Sequence, residues 1–438
     1  MKKIFSLLLA ASAFACTQEK VVEITISNPS TTDRTNEITE ITSDAIAKLK
    51  GETFIISDNT GSQVPYQVTY DNKIIFPVSV KGGENVTYKI TPGTPEAFKT
   101  IACGKQYPER VDDIAWENDR IAFRTYGPAL QATGEKAYGC DIWVKCVSEP
   151  IVDMRYKTEL DPETRAKIAE LRKTDPKAAQ QLSESVSYHI DHGNGLDYYK
   201  VGPTLGAGTS ALLANDSIVY PYCYKDYQIL DNGPLRFTVK LVYNPLTVKG
   251  NNNVIENRII SLDAGSQMNK FTITYDNLTE ATPVVTGIVL HEPSKDYQAD
   301  AAKGYIAYAD PADPVNGQIY VAAVFPEKVN EAKAITFSDK EKAERGADGH
   351  VLAYSTYTPG CSYTYYSGAG WSKWGFENSS KWFDYVQKFA QNLNEPLTVT
   401  INKFKSKFKK VKGDIKIEVP PFLLFRLYFL KLDQPFQV

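Results

Sequence analysis

Short runs of alternating apolar and polar residues, separated by turn-forming residues, recur along most of the chain. Residues 21–26 and 53–57 are the first two such runs, and residues 64–70 and 73–80 flank an Asp-Asn turn that is typical of a hairpin. A period of two puts successive side chains on opposite faces of a strand. The first ninety residues are therefore predicted to be mostly antiparallel β-structure.

The strand pattern resumes in the second half and continues almost to the end of the chain. Further strand-like runs lie at residues 141–147, 218–220, 235–243, 254–262, 270–275, 284–291, 304–309, 319–325, 350–354 and 397–401. Strands this frequent predict an all-β fold, a large antiparallel β-sandwich with a short helical insertion. Residues 16–401 are expected to form a single large domain, and residues 21–92 are a candidate N-terminal β subdomain.

Helical patterns are confined to a few segments. Asp161 provides an acidic cap for the good helix formers at residues 162–172, and residues 177–182 extend this pattern beyond a proline. This is the one clear helical insertion, and it leads directly into a polar stretch. Residues 43–49 and 382–393 are two further helical candidates.

The two ends of the chain differ from the rest. A basic start, a short apolar run at residues 4–11 and the pair Ala15-Cys16 resemble a bacterial lipoprotein signal, whose cysteine becomes the acylated first residue. Residues 1–15 are therefore expected to be removed and Cys16 to carry lipid. This predicts a lipoprotein of the cell envelope, facing the periplasm or exposed on the outer membrane. Residues 402–438 form an atypical tail, basic at first and then strongly apolar.

Composition narrows the functional classes. The 438 residues carry a net charge of only −3, so neither nucleic acid nor a membrane surface is favoured as a partner, apart from the lipid anchor. Aromatic residues make up 12% of the chain, and exposed rings of this kind stack on sugar faces. Besides Cys16 there are five cysteines, an odd number that does not fit a disulfide framework.

The strongest candidate for a site is the polar stretch at residues 188–202. It holds two of the four histidines, His189 and His192, together with Asp191, Asp197 and three glycines. Such a stretch is too polar and too rich in glycine for the interior of a strand or helix, and too rich in ionisable groups for a plain connection. We interpret it as a site loop, with residues 108–128 as its partner stretch.

The residue types in the two stretches fit acid–base chemistry on an acidic sugar. Histidine titrates near neutral pH, burial raises the pKa of a carboxyl group, and arginine forks bind carboxylates. The catalytic candidates are His189, His192, Tyr198, Tyr199, Glu117, Asp191 and Asp197. The substrate-binding candidates are Trp116, Arg120, Arg124, Tyr126 and Lys200, with the two arginines assigned to a uronate carboxylate. These types allow either a β-eliminating lyase or a hydrolase.

Several of these residues also have an ordinary structural interpretation. Alternation from residue 118 to residue 126 predicts one strand with Arg120, Arg124 and Tyr126 on a single face, which is either solvated or functional. Trp116 fits a hydrophobic core as well as a sugar subsite. The two histidines outside the loop, His291 and His350, stand alone at strand edges and are predicted to be structural.

Metal binding is a weaker interpretation of the site loop, and no cofactor is expected. A transition metal would use His189, Asp191 and His192, with Asp197 as an optional fourth ligand, but their spacing fits no closed zinc motif. Calcium would use Asp191, Asn194 and Asp197, an incomplete set of oxygen ligands. A third feature is the tyrosine-rich segment at residues 354–374, whose rings would stack on saccharide or pack in a sheet.

The two stretches also carry a family resemblance. Pro108-Glu109-Arg110, Tyr126-Gly127-Pro128 and the loop pattern His189-x-Asp191-x-Gly193-x-Gly195-x-Asp197-Tyr198-Tyr199-Lys200-Val201-Gly202 resemble an exported bacterial family known as domain of unknown function 4861. Asn232-Gly233-Pro234-Leu235-Arg236 and residues 261–266 fit the same family, so that the resemblance covers about residues 21–401. It implies a Bacteroidetes-type lipoprotein of polysaccharide utilisation, often in a setting rich in pectin or other uronates. It also implies a fold similar to the galactose-mutarotase-like β supersandwich, which does not by itself assign a reaction.

The function expected from the sequence is that of an exported lipoprotein that acts on acidic, pectin-like oligosaccharides as a lyase or hydrolase. A non-catalytic glycan-binding lipoprotein and a sugar mutarotase or epimerase are the alternatives. Convergence of Glu117, Arg120, His189 and Asp197 in one concave pocket would favour an enzyme. A flat aromatic platform distant from them would favour binding.

Overall fold

The computed structural model describes residues 21–49 and 53–402, and these residues are mostly antiparallel β-structure. The expectation of a sandwich-like all-β fold is confirmed, although the chain contains more helix than one short insertion. The lipidation candidate Cys16, the signal segment and the tail beyond residue 402 lie outside the described residues. Among the described residues, no helix is long and apolar enough to cross a bilayer.

The largest sheet, here called the large sheet, has nine strands. Their spatial order is Tyr224–Asn232, Arg236–Tyr243, Asn251–Asp263, Met268–Asp276, Tyr363–Trp371, Ile319–Val324, Tyr305–Ala309 and Tyr297–Asp300, with Leu246–Val248 paired to the side of the third. Alternate positions along these strands are buried, as the period-two pattern of the sequence predicts. The large sheet thus turns one face to the core of the molecule.

Two five-stranded sheets share the core with the large sheet. The facing sheet has the order Ser217–Val219, Ala207–Ala214, Thr282–Leu290, Gly349–Tyr357 and Glu331–Thr336. The second, here called the site sheet, has the order Gly195–Asp197, Asp141–Lys145, Ile121–Thr125, Asp113–Glu117 and Cys103–Tyr107. One continuous cluster of buried side chains joins all three sheets, and it includes Trp116, Phe237 and Ile288. Burial of this apolar surface is the main favourable term for the fold.

The first strands of the chain form two further sheets. One has the order Thr398–Asn402, Val22–Ser27, Asn85–Pro92, Phe54–Ser57 and Gln63–Val64, and the other has the order Arg34–Thr42, Lys73–Val80 and Gln67–Val68. The predicted hairpin at residues 64–80 is therefore present, with a short first strand. Arg236 ties the second of these sheets to the large sheet, because its guanidinium donates to Glu40 Oε1 at 2.6 Å and to Asp263 Oδ2 at 2.8 Å.

The helices lie on the outside of the sheets. The insertion consists of Val152–Glu159, Pro162–Thr174 and Pro176–Val186, and the last two begin at Asp161 and Asp175, whose carboxylates cap them. Helix Ser379–Asn394 packs Trp382 and Val386 against the large sheet. Shorter helical segments are Ser43–Leu49, Pro108–Arg110, Pro128–Ala132 and Asp339–Arg345. The insertion starts earlier than predicted and has three helices.

The insertion covers the outer face of the site sheet. Glu117 holds it there, because its carboxylate accepts from the backbone N–H groups of Ile151 and Val152 at 2.9 Å, where the first helix begins. The same carboxylate accepts from Lys145 Nζ at 2.6 Å, and both side chains are buried. The sequence-based assignment of Glu117 to acid–base work therefore needs correction, since every partner of this carboxylate is structural.

We predict that Glu117→Gln lowers the free energy of unfolding by about 3–5 kcal/mol, because it leaves the ammonium of Lys145 buried without a counter-charge. Adding Lys145→Met should recover part of the loss, since that charge is then absent. Denaturant unfolding of the single and double variants measures both effects.

The matched control is Glu149→Gln, which breaks the exposed pair between Glu149 and Lys99 and should leave stability unchanged. A double variant that is less stable than Glu117→Gln alone would contradict the role given to the buried pair.

Candidate functional site

The end of the site loop is an edge strand of the site sheet. Gly195–Asp197 pairs with Asp141–Lys145, so that Asp197 lies opposite Trp143 and Gly195 opposite Lys145. Gly195 has φ = 104°, and a Cβ atom at this residue would lie 1.9 Å from the carbonyl oxygen of Val144. Glycine is therefore required at this position for the loop to pair with the sheet.

Four strands of the site sheet bring an arginine and three aspartates together on the outer face. Arg124 lies opposite Asp141 in the strand register. Its Nε donates to Asp141 Oδ2 at 2.9 Å and its Nη2 to Asp197 Oδ2 at 2.7 Å, while Asp113 Oδ2 is 3.8 Å from its Nη1. All four side chains are at most 4% exposed. We call this group the Arg–Asp cluster.

The aromatic side chains around Arg124 complete its surroundings. Tyr126 donates its hydroxyl to Asp141 at 2.9 Å, and Tyr156 from the first insertion helix accepts from Arg124 Nη1 at 3.3 Å. The guanidinium also lies over the rings of Tyr126 and Trp143, at 5.0 and 5.5 Å from their centroids. The assignment of Arg124 and Tyr126 to substrate binding is thus corrected, because both are buried and fully engaged within the protein.

The cluster contains more negative than positive charge. A second guanidinium, Arg110, lies 3.7 Å from Asp113 Oδ2, so three carboxylates face two cations. Burial raises the pKa of Asp113 to about 6, against the lowering effect of Arg124 and Arg110. Burial also raises the pKa of Asp197 well above its usual value, although Arg124 is beside it. The cluster therefore retains a proton in mildly acidic solution.

The most exposed members of this region are Arg110 and His189, with 24% and 53% of their side chains accessible. Arg110 Nε donates to the hydroxyl of Tyr188 at 2.8 Å, and the Tyr188 ring stacks on Trp143 at 4.8 Å. His189 lies beside Tyr188, with 4.4 Å between ring centroids. Arg110, Tyr188 and His189 thus form a rim in front of the Arg–Asp cluster.

The tautomer of His189 follows from its hydrogen bond. Its Nδ1 lies 2.8 Å from the backbone carbonyl oxygen of Asp197, and a carbonyl can only accept. Nδ1 therefore carries a hydrogen, and in neutral imidazole Nε2 is the basic nitrogen. This geometry presents a base at the rim while Asp197 is held by Arg124 behind it.

The backbone is strained in the turn that connects Arg110 to Asp113. The two residues between them, Val111 and Asp112, have φ of 47° and 66°, a conformation that is rare for a β-branched residue. The turn is held by Leu130, whose N–H donates to the Val111 carbonyl at 3.2 Å, and by the Tyr224 hydroxyl, which donates to the Asp112 carbonyl. Strain of this kind costs on the order of 1–3 kcal/mol per residue and is typical of functional sites.

Two candidates of the partner stretch lie away from the rim. Trp116 is fully buried among core side chains, stacks near Phe123 and donates its Nε1–H to Asn269 at 2.7 Å, so it is not placed to contact a sugar. Arg120 lies in the turn after Asp113–Glu117, not on a strand face with Arg124, and its nearest acidic partner is Asp119 at 3.4 Å. Glu117, Arg120, His189 and Asp197 therefore do not converge in one pocket, although His189 and Asp197 are in contact.

The remaining loop candidates shape or anchor the loop. Asp191 Oδ1 accepts from the N–H groups of Gly193 and Gly195 at 2.9 and 3.0 Å, and exposed His192 contacts the carbonyl of Ser187 at 3.1 Å. Tyr198 and Tyr199 have buried hydroxyls, and the Lys200 carbonyl accepts from His291.

The metal-ligand sets suggested by the sequence are not brought together in the described residues, because Asp191 and Asp197 have separate partners.

Two shallow depressions elsewhere on the described surface have volumes of about 480 and 550 Å³. The first lies between the insertion helices and is lined by Met154, Lys157 and Val186; the second includes Lys303 and Lys328. Neither is lined by a residue of the cluster or its rim. These two depressions are therefore separate from the Arg–Asp cluster and its rim.

Comparison with known proteins gives a family assignment. The sequence model of the family named Domain of unknown function (DUF4861) matches residues 26–399. The chain belongs to the DUF4861 family. A DUF4861 match of this extent includes the site sheet, the insertion and the site loop, as the motif resemblance predicts.

One relative of this DUF4861 chain is "Uncharacterized protein P7" from Formosa agariphila, 29% identical over 324 residues that cover 70% of this chain and 72% of the relative. Two solved structures from Enterococcus faecalis show a distant likeness. An α-mannosidase has a TM-score of 0.47 at 10% identity, and a protein in glycosyl hydrolase family 38 has 0.46 at 11%. The chain covers 46% and 48% of these two structures, about half of their length.

Four central residues of the site were missed as candidates by sequence reasoning. Arg110 and Asp113 lie inside the partner stretch, and Tyr188 begins the site loop, so their neighbourhood was found but not their roles. Asp141 begins an ordinary apolar strand, and only the pairing of that strand with Ile121–Thr125 brings it to Arg124. No local sequence signal identifies it.

We predict that Asp113→Asn raises the free energy of unfolding at pH 7 by up to about 3 kcal/mol. The folded-state pKa of about 6 is above the ordinary 3.8, so the stability linked to this carboxyl is present below about pH 4 and is lost as pH rises through 6. The variant should therefore match the wild type near pH 4 and exceed it at pH 7 in denaturant unfolding.

The control is Asp153→Asn, which removes a surface carboxylate that pairs with Lys105 and Lys157. The hydrogen bonds of these lysines lower the pKa of Asp153 despite partial burial, so this variant should gain no stability at pH 7. An Asp113→Asn variant that is less stable than the wild type at pH 7 would contradict the inference that the ionised Asp113 carboxylate destabilises the cluster.

Proposed function

We propose that this protein is an exported, lipid-anchored enzyme that acts on uronate-containing oligosaccharides, with its reactive groups at the rim of Arg110, Tyr188 and His189. The observation that carries the proposal is the grouping of a partly exposed guanidinium and a half-exposed imidazole at the surface, in front of a buried cluster of carboxylates. A cation that pairs with the carboxylate and a base that removes the adjacent proton are the two protein groups that chemistry next to a uronate carboxylate requires.

The placement of these groups favours β-elimination over hydrolysis. A hydrolase needs two carboxyl groups that face the glycosidic bond, but the three carboxylates here are at most 2% exposed and directed at Arg124. The groups that reach solvent are instead a guanidinium and an imidazole. Lyase chemistry uses these two groups directly, so a lyase is the preferred reaction class.

In the proposed reaction, Arg110 pairs with the uronate carboxylate and lowers the cost of charge on the adjacent carbon. His189 removes the proton from that carbon through Nε2, the nitrogen that its hydrogen bond to Asp197 leaves free. The bond to the leaving oxygen breaks, a carbon–carbon double bond forms in the sugar ring, and the leaving oxygen takes up a proton. Solvent at the open rim supplies that proton, because the carboxylates of the cluster are buried against Arg124 and do not reach the substrate.

A binding function has its own support elsewhere on the surface. Tyr138 lies 5.2 Å from Tyr220 and 6.2 Å from Tyr222, measured between ring centroids, and the Tyr222 side chain is exposed. Such a group of rings is suited to stacking on sugar faces. A non-catalytic glycan-binding lipoprotein would use this platform and leave the rim without chemical function.

The test is incubation of the purified protein with a panel of pectin-derived and other uronate oligosaccharides. Mass spectrometry and the ultraviolet absorbance of a new conjugated double bond follow the products. We expect an unsaturated product from the wild type and a loss of at least about 100-fold in its rate of formation in His189→Gln, because a general base contributes about that much or more. Arg110→Gln should lower kcat as well as weaken substrate binding, because the guanidinium both pairs with the carboxylate and stabilises the charge that develops beside it.

The matched control is His192→Gln, which removes the other loop histidine, an exposed residue whose Nε2 lies 3.1 Å from the Ser187 carbonyl oxygen. This variant should keep wild-type activity. A product heavier by one water would establish a hydrolase, and an isomer of unchanged mass would establish an epimerase. If no product forms on any member of the panel while ligands raise the melting temperature, the binding function replaces the catalytic one.

A further inference from the structure

His291 makes two short hydrogen bonds at the far end of the site loop. It follows the strand Thr282–Leu290 of the facing sheet, and its side chain is only 14% exposed. Its Nδ1 lies 2.7 Å from Asp310 Oδ1, and its Nε2 lies 2.6 Å from the backbone carbonyl oxygen of Lys200. Lys200 is three residues after Asp197, so this contact holds the C-terminal end of the loop.

The two partners of His291 fix its protonation state. An ionised carboxylate and a carbonyl oxygen can only accept hydrogen bonds, so both contacts require an N–H on the imidazole. Only the charged imidazolium has a hydrogen on both nitrogens. Although burial lowers the pKa of His291, the hydrogen bond and negative charge of Asp310 and the bond to the Lys200 carbonyl raise it overall.

Two tyrosines and the Lys200 ammonium lie near His291 or its partner Asp310. Tyr199 packs edge-on at 5.2 Å, and the buried Tyr308 lies near the same Asp310 carboxylate, whose charge together with burial raises the pKa of both tyrosines. Both tyrosines are therefore neutral at neutral pH. The Lys200 ammonium opposes the proton on His291, but its effect is smaller than that of Asp310.

The two ends of the loop are held in different ways. At the start, Arg155 Nη2 donates to the carbonyls of Ser187 and Ile190 at 3.0 and 2.5 Å, and arginine stays charged at all accessible pH values. At the end, the tether is a histidine, whose charge changes with pH. Between the two tethers lie His189 and Asp197.

We propose that His291 is a positioning residue: as an imidazolium bonded to Asp310 and to the Lys200 carbonyl, it fixes the end of the site loop, and loss of its proton releases that end. A neutral imidazole can donate through one nitrogen only, so one of the two bonds is lost on deprotonation. Because Nδ1 faces the carboxylate, the remaining hydrogen stays there and the bond to Lys200 is lost. The link to activity rests on the proposed function, whereas the tether itself does not.

The structural test is hydrogen exchange of the amides at residues 195–201 as a function of pH, after correction for intrinsic exchange, together with an NMR titration of the histidines. The stability that His291 adds is present below its ordinary pKa of 6.5 and is lost as pH rises through its higher folded-state pKa. We expect wild-type protection to be high below pH 6.5 and to be lost as pH rises through the folded-state pKa of His291.

Two variants test the tether, and one serves as the control. Asp310→Asn should move the loss of protection to lower pH, because the carboxylate that favours the imidazolium is gone. His291→Gln should remove the pH dependence and leave low protection throughout. His192→Gln, which changes a histidine of the same loop that does not touch Lys200, should behave like the wild type. A wild-type His291 that titrates below 6.5, or an unshifted transition in Asp310→Asn, overturns the proposal.

Activity provides a second readout once a substrate is found. With the tether released, kcat should fall on the alkaline side in the wild type, and the fall should begin at lower pH in Asp310→Asn. The exchange and titration experiments need no substrate. If the proposed lyase activity is not found, the tether can still be tested. If the tether is disproved, the proposed lyase activity is not contradicted.

Discussion

The burial of Arg124 against Asp141 and Asp197 is the interaction on which the site region depends. It links three neighbouring strands of the site sheet through side chains, in addition to their backbone ladders. A guanidinium removed from water must keep its partners, because a buried charge without a counter-charge costs several kcal/mol. The edge strand that ends the site loop is thus bound to the sheet by charge as well as by backbone pairing. Any movement of Asp197 away from Arg124 would therefore raise the free energy of the folded state.

The same interaction explains why the helical insertion is folded where it is. The outer face of the site sheet carries the Arg–Asp cluster at one end and the Glu117–Lys145 pair at the other. The insertion excludes solvent from both groups. Its Tyr156 packs over the cluster, and the N-terminus of its first helix binds the Glu117 carboxylate. Backbone N–H groups at a helix start favour a carboxylate. The insertion is therefore positioned by polar contacts at both ends and by a small aromatic core around Trp143 between them.

The sequence predicted the architecture better than the site. Alternation of apolar and polar residues is a local property, so strands and their faces could be read directly, as could the cap at Asp161. Charge networks are not local. Arg124 and Asp197 were identified as candidates, but the sequence could not show that they would form a buried ion pair with each other. Nor could it show that Glu117 would bind Lys145. Arg120 was placed on a strand that in fact turns at residue 119, because a hairpin there has no glycine or proline to mark it. The Arg110–Asp113 turn was equally hidden, since a left-handed valine carries no sequence signal.

Three histidines show how partners, and not residue type, decide which one can serve as a base. His350 is wholly buried and accepts at Nε2 from the Leu205 N–H, and burial together with Arg345 lowers its pKa to about 3, so it remains neutral. His291 faces two acceptors and is charged. His189 donates its Nδ1 hydrogen to one backbone carbonyl, and about half of its side chain is exposed, so that its tautomer is fixed with Nε2 as the basic nitrogen. Of these three, only His189 combines exposure with a fixed tautomer beside a guanidinium-bearing rim. That combination is what a general base requires, and it is the physical reason for placing the proposed reaction at this end of the loop.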